Sequence, residues 1–299
     1  MSRIMQGELD RPIFVVGTGR CGSTILNKML AEHPDLSFLT TASNVFPSNI
    51  SIQRLVLNMW SKPIIGPLLR MRLIAGEGWN FWDQYVPGFS RSYRDFKAGD
   101  ITKYQKKKLL KELPQLLTNK RNRLLIKFTG WTRIGFIKEV FPDAKIIHIT
   151  RDPRAVINSM MHIDFWTGRL GPYHLNWGVL TQEELAIWNK FDQSFIALAV
   201  IEYKRILAAY HESLENLSQQ DKQDVLDLSY SNLCEKHEES ITKVLSFCDL
   251  DNHPEFMKTL SSYKLKNQND KWKSNFTSQQ QQTLEAAIQE MELNRYDGF

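Results

Sequence analysis

The sequence predicts an α/β protein in three layers, a central parallel sheet flanked by helices. Three observations carry this. A short apolar run, Ile13 to Val16, breaks into a glycine-studded turn, Gly17 to Gly22, and resumes as a helical pattern with Ile25, Leu26, Met29 and Leu30 on one face. Further on, short apolar runs alternate with helical patterns, the order expected of crossover-linked parallel strands. A second strand-like run, Ala144 to Thr150, passes through Arg151-Asp152-Pro153-Arg154 into another helical pattern.

Each element follows from local chemistry. Ile13 to Val16 is wholly apolar and mostly β-branched, as a fully buried strand requires. The first helix stops at Glu32-His33-Pro34-Asp35, where His33 would complement the helix dipole, and Leu36 to Leu39 reads as a second strand. Residues 40–100 read as an irregular insertion, broken by Pro47, Pro63, Pro67 and Pro87. That insertion holds Trp60, Trp79, Phe81, Trp82, Tyr85 and Phe89, which would either cover a substrate or pack as a lid over the core. Lys103 to Leu117 predicts a helix whose lysines form a solvated face, and Arg123 to Thr129 a strand. Trp131 to Phe141 reads as a crossover helix closed by Pro142-Asp143, followed by the strand Ala144 to Thr150, in which His148 is a core histidine. Pro153 suits a helix start, so a helix runs from Ala155 to about Met161. Glu183 to His211 gives one long helical pattern, Val225 to Tyr230 a strand, Glu238 to Phe247 a helix and Thr277 to Leu293 a polar last helix.

Composition narrows the function classes. With 42% apolar and 24% charged residues over 299 positions, the chain reads as one globular domain, residues 1–299. The net charge of +5 and pI near 9.0 fit an anionic small ligand and do not by themselves call for nucleic acid. The three cysteines, Cys21, Cys234 and Cys248, lack metal-type spacing and an even count, which argues against a zinc site or a disulfide framework. Cys21 in the glycine turn would be either packed or thiol-reactive. Met1 to Leu9 is polar and no run approaches membrane-spanning length, so the expectation is a cytoplasmic protein without a transmembrane segment.

A strand, a glycine turn and a helix start together point backbone N–H groups and the positive helix end at a phosphate. The spacing nearly spells the P-loop G-x-x-x-x-G-K-[ST], but Ser23 stands where the lysine would be and the positive charge has moved to Arg20. In open parallel sheets ligands lie beyond the carboxyl ends of the strands, so Arg151 should face the same space. Ser159 follows Arg151 by eight residues, about two helical turns, and can share that side. A ligand with two phosphates would then be held by Arg20 and the loop amides at one end and by Arg151 and Ser159 at the other. The plainer alternatives are a turn without ligand, Arg151 paired with Asp152, and Ser159 as an ordinary helix residue.

These two stretches resemble the sulfotransferases that use 3′-phosphoadenosine-5′-phosphosulfate (PAPS). Gly19-Arg20-Cys21-Gly22-Ser23-Thr24 is similar to their 5′-phosphosulfate loop, and Phe141 through Val156 with Ser159 to their 3′-phosphate segment. Leu228-Ser229-Tyr230-Ser231-Asn232-Leu233 is similar to the strand and turn usually written YEDL, and Trp272-Lys273 with Asn294-Arg295-Tyr296 to the family's C-terminal end. The resemblance implies a P-loop-like three-layer fold, PAPS as co-substrate and no metal. It implies an acceptor hydroxyl on a glycan, a glycolipid or lipid, or a small molecule. Gly19, Arg20, Cys21, Gly22, Ser23 and Thr24 would hold the 5′-phosphosulfate, Arg151 and Ser159 the 3′-phosphate, and Tyr230 would lie near the adenosine. Lys127 matches a lysine found in many members between the two motifs.

The usual catalytic base is missing from both places where members carry it. Thr129 stands at the histidine position of cytosolic members, and Leu39-Thr40-Thr41-Ala42 where others place a glutamate. Glu77, between Gly76 and Gly78 and followed by Trp79, Phe81 and Trp82, is the replacement the sequence offers. Flanking glycines permit close backbone approach, and the aromatics would desolvate the carboxylate. Asp83 is its nearest competitor, and a solvated turn residue is the plain reading of Glu77. Three functions follow: a sulfotransferase with Arg20, Glu77 and Lys127 at the reacting centre, a P-loop-type nucleotide-binding protein or kinase, and a module that binds the nucleotide without turnover.

Overall fold

The computed structural model describes residues 9–60, 62 and 64–293; the polar start at residues 1–8, Pro63 and the Asn294-Arg295-Tyr296 end lie outside the described residues. Its centre is a five-stranded, all-parallel sheet in the order β2-β3-β1-β4-β5. The strands are β1 (Ile13–Val16), β2 (Leu36–Phe38), β3 (Arg123–Lys127), β4 (Lys145–Thr150) and β5 (Val225–Ser229). Ile13 pairs with Leu125 on one side and Lys145 on the other, so β1 is the middle strand. Because all strands are parallel, the loops after β1, β3 and β4 open on one edge of the sheet.

Strand alternation divides the core in two. Phe14, Val16, Leu124, Ile126 and Ile146 face one layer, and Ile13, Val15, Leu125, Ile147 and Ile149 the other. The second layer is built by α1 (Ser23–Ala31); after β2 the chain passes through short α2 (Ala42–Val45), and α3 (Ile50–Trp60) and α4 (Ile65–Arg72) then join that layer. Then α5 (Trp79–Tyr85) and α6 (Lys103–Glu112) turn to the first layer, joined there by α7 (Ile134–Val140) and α8 (Pro153–Met161). After α9 (Gln182–Lys190), α10 (Phe195–Glu215) and a single turn, α11 (Gln219–Lys222), comes β5. The chain closes through α12 (Tyr230–Glu235), α13 (His237–Phe247), α14 (Pro254–Ser261), α15 (Lys271–Asn275) and α16 (Ser278–Glu290). The three-layer reading of the sequence is borne out.

Several local readings change. Residues 40–85 are mostly helical rather than irregular, holding α2 to α5, whereas 86–102 carry no helix or strand; Pro47 and Pro87 lie outside the helices and Pro67 in the first turn of α4, where a missing N–H costs nothing. Trp60, Phe81, Trp82, Tyr85 and Phe89 are core, with Trp79 half-buried against them. Phe81, Trp82 and Phe89 are fully buried, Trp82 packs edge-on against Phe128 at 5.0 Å, and Trp60 against Phe38 at 5.2 Å. The long pattern over residues 183–211 is two helices, because Asp192 and Gln193 take left-handed φ of 50° and 59° and break it. The helix over 103–117 ends at Glu112 and continues as a 3₁₀ turn, Leu113–Leu116, that accommodates Pro114. The crossover helix begins only at Ile134, behind Arg133 at φ 57°.

Candidate active site

The turn after β1 is shaped by what its glycines allow. At Gly17 a Cβ would lie 2.6 Å from the Cys21 sulfur and 2.8 Å from the Ile149 carbonyl oxygen, so only glycine lets the turn close on β4. Gly22 caps α1 in the left-handed region at φ 98°, with the Tyr230 ring where its Cβ would be. Arg20 takes φ 55°, an uncommon conformation for a side-chain-bearing residue, in the middle of the loop. Ser23 and Thr24 open α1, so their N–H groups have no intrahelical acceptor and point with the positive helix end into the space above the sheet. Cys21 is fully buried, which decides its role as packing.

The second anchor meets the first directly. Arg20 Nε donates to Ser159 Oγ at 2.9 Å, and Arg151 Nη1 donates to the Arg20 carbonyl at 2.9 Å. Arg151 is steadied by Asn269, whose Oδ1 accepts from Nε at 2.9 Å and whose amide nitrogen donates to Ser231 at 2.9 Å. Its guanidinium lies 4.3 Å from the centre of the Tyr230 ring. Burial draws the Arg151 value down and pushes the Tyr230 phenol up to about 12, so near neutral pH one is a cation and the other a neutral ring. The two ends inferred from sequence thus form one continuous cradle rather than separate sites. Asp152 is not free to pair with Arg151. Its carboxylate caps α8 through the Arg154 N–H and holds the Arg154 guanidinium at 2.7 Å, while Arg154 lies over Trp272.

A cleft of about 550 Å³ runs from this cradle toward the ends of β1 and β3. Lys127, at the last position of β3 and 3% exposed, reaches back to the loop: its Nζ donates to Thr24 Oγ1 at 3.0 Å and pairs with Glu77 Oε1 at 2.9 Å. Thr129 donates to the same Glu77 oxygen at 3.3 Å. The structure therefore brings Glu77, Lys127 and Thr129 together beside the loop that follows β1. It corrects the reason given from sequence: the carboxylate is held by a lysine and a threonine, and Trp82 turns inward to bond the Glu77 backbone carbonyl at 3.1 Å.

Other candidates fall away. Asp83 is occupied by Ser90, through its hydroxyl at 2.5 Å and its amide at 2.9 Å. Thr40 is fully buried and bonded to Gln53 at 2.9 Å. His33 is not a surface complement to a helix dipole: it is fully buried, bonded to the Asp251 carbonyl at 2.9 Å, and desolvation pushes its value down. His148 is the expected core histidine, bonded to Asp227 at 2.8 Å and stacked on Tyr210.

The sequence missed part of the cleft. Lys28, Trp166, Asn176 and Trp177 line it. Lys28 lies one turn beyond Thr24 on α1, a spacing that could have identified it. The others lie in a loop region whose sequence carries no motif. Gly130, at φ 79°, leaves room for the Trp177 ring, which would lie 2.2 Å from a Cβ there.

Trp166 is itself set by a buried acid. Its indole N–H donates to Glu202 Oε2 at 2.7 Å, whereas Oε1 has no hydrogen-bond partner, and burial pushes the Glu202 carboxyl up to about 7. The raised value favours the neutral form in the folded state, so this stability is fully present below the ordinary carboxylate range and is lost as pH rises through about 7. At about 1.4 kcal/mol per pKa unit, Glu202→Gln should raise Tm at pH 8 by about 3–6 °C. Scanning calorimetry should find the difference nearly gone at pH 4; a variant less stable than wild type at pH 8 would contradict this assignment.

Comparisons with known proteins fit this geometry. A sequence profile described as the sulfotransferase family matches residues 12–255. The fold is similar to sulfotransferase STF9 from Mycobacterium avium, with a TM-score of 0.56 and 16% identity over 97% of this chain and 77% of that one. It is similar to sulfotransferase STF1 from Mycobacterium tuberculosis H37Rv, at 0.54 and 15% over 91% and 77%. It is also similar to the sulfotransferase domain from the curacin biosynthetic pathway, at 0.52 and 15% over 93% and 98%. An uncharacterized protein from Aquifex aeolicus (strain VF5) is 23% identical over 248 residues, 80% of this chain; the chain spans about a quarter, 26%, of that relative's length.

Proposed function

We propose that this chain, which belongs to the sulfotransferase family, transfers the sulfuryl group of PAPS to an acceptor hydroxyl. The observation that carries the proposal is the single cradle in which Arg20 meets Ser159 and Arg151 meets Arg20, because it offers fixed cations to both phosphate ends of one nucleotide. Arg20 and the N–H groups from Cys21 to Thr24, with the amide of Gly22 and the backbone freedom of Gly19, receive the 5′-phosphosulfate. Arg151 and Ser159 receive the 3′-phosphate, and the Tyr230 ring packs near the adenosine.

The reaction then needs no bond to the protein. The acceptor oxygen attacks sulfur as its proton passes to the Glu77 carboxylate, and the bond from sulfur to the 5′-phosphate oxygen breaks. The electron pair leaves on 3′-phosphoadenosine-5′-phosphate (PAP). Lys127 touches both Thr24 of the loop and Glu77. A short movement takes its ammonium to the departing phosphate oxygen and frees the carboxylate. Glu77 also bonds Thr129, so its carboxylate lies beside the position where cytosolic members carry a histidine base. This favours turnover over a module that only binds. A kinase is disfavoured because Ser23 replaces the P-loop lysine and Asp152 is committed to Arg154.

The buried aromatics of residues 40–100 leave the acceptor to the far end of the cleft, where Trp166, Asn176 and Trp177 stand. Hydroxyls on a glycan, a lipid or a small molecule all fit this chemistry. Among the described residues, no helix is long and apolar enough to cross a membrane. Three free thiols, Cys21, Cys234 and Cys248, fit a reducing, cytoplasmic setting. The test offers labelled PAPS with a panel of glycans, lipids and phenols, without added metal. Label is expected on one acceptor class; no transfer to any class would favour the binding module.

A further inference from the structure

One helix beside the cleft turns its apolar side outward. Packing of α4 against the end of α3 runs through Gly66, where a Cβ would lie 2.2 Å from the Trp60 carbonyl oxygen. On its other side Ile64, Leu68 and Met71, spaced four and three residues apart, are 81%, 62% and 81% exposed, and Ile65 beside them is 44% exposed. Arg72 shares a shallow depression with Ile65, Leu68 and Met71. The surrounding sequence is one-signed: residues 36–76 contain Arg54, Lys62, Arg70 and Arg72 and no aspartate or glutamate. Arg70 is tied to Glu32 at 3.3 Å, whereas Arg54, Lys62 and Arg72 are exposed and make no ion pair among the described residues.

The chain leads from this face directly to the cleft. From α4 the chain runs through Leu73 to Ile74, which lines the cleft, is 47% exposed, and is fixed by the Thr41 N–H on its carbonyl at 3.0 Å. Another cleft residue, Phe165, is 68% exposed.

We propose that the exposed face of α4, with Ile74 and Phe165 at the cleft mouth, docks on the surface of an anionic phospholipid bilayer. Aliphatic side chains on one stripe with unpaired cations around them, the one neighbouring acid, Glu32, being neutralised by Arg70, are what such a surface takes up. A second copy of this chain would add its own cations to this face, and residues 36–76 hold no acid to pair them. A protein partner is disfavoured because the stripe holds none of the tyrosines and tryptophans that anchor protein interfaces. A hydroxyl-bearing amphiphile in the bilayer would then reach Glu77 without entering water, a consequence that rests on the transfer reading above.

The test is co-sedimentation of the full chain with vesicles of phosphatidylcholine alone or mixed with phosphatidylglycerol, with PAP affinity measured alongside. Wild type should bind the anionic vesicles at least about tenfold more tightly, and added salt should weaken this. Leu68→Glu with Met71→Glu should abolish it, and Arg72→Glu should weaken it by about fivefold, both with unchanged PAP affinity. The proposal is overturned if wild type pellets with neither vesicle, or if the double variant, still binding PAP, pellets like wild type. It is equally overturned if ultracentrifugation finds a dimer that the double variant loses while vesicles are ignored. PAP binding without vesicle binding sinks the docking face alone; vesicle binding without PAP binding sinks the transfer reading alone.

Discussion

Glu77→Gln should cut turnover by about 10²–10⁴, the usual contribution of a positioned base, while PAP affinity changes by less than about threefold. In the proposed reaction this carboxylate is the base: Lys127 at 2.9 Å and Thr129 at 3.3 Å hold it beside the loop that follows β1. None of the cradle contacts at Arg20, Arg151 and Ser159 runs through it. The amide keeps the shape and can still accept from Thr129, but takes no proton near neutral pH. It also leaves the buried Lys127 without its counter-charge, so a loss of stability is expected as well, of the order of 3 kcal/mol. Turnover measured below the variant's own melting transition, with the acceptor class found from labelled PAPS, separates the two effects. Near-normal turnover would remove Glu77 from the base role.

Arg20→Ala should lower kcat by about 10²–10³, with a smaller change in nucleotide affinity. The side chain projects from a left-handed position inside the loop. On the proposed placement of PAPS its guanidinium would face the charge that grows on the sulfuryl and leaving oxygens during transfer. Its bond to Ser159 ties it to the second anchor, so a rise of several-fold in the nucleotide dissociation constant is expected too. Single-turnover rates and calorimetric affinities distinguish these. An unchanged rate after saturation with nucleotide would assign Arg20 to binding alone.

Much of this arrangement was legible from local chemistry. Ile13 to Val16 reads as a buried strand and Gly17 to Gly22 as a tight turn, so the geometry of this strand, turn and helix start was readable residue by residue. The place of Arg151, just after β4 and against the turn that follows β1, followed from the parallel order of the strands. What was not legible depended on long-range packing. Asn269, which orients Arg151, lies 118 residues away and carries no pattern of its own. The helices of residues 40–100 were hidden because prolines that break a long helix equally well separate short ones. The split between α9 and α10 rests on two left-handed residues, Asp192 and Gln193, that no periodicity signals. Glu77 was chosen for its neighbours, yet its partners proved to be Lys127 and Thr129, about fifty residues on at the end of β3.

The two-ended cradle is tested most directly by calorimetric titration of the full chain with PAP and with adenosine 5′-phosphate, without magnesium. Losing the 3′-phosphate removes charge-assisted hydrogen bonds of roughly 1.5–3 kcal/mol each, so PAP should bind at least about tenfold more tightly. Arg151→Ala should erase most of that preference while the protein keeps its melting transition. Equal affinity of the wild type for the two nucleotides would contradict the account.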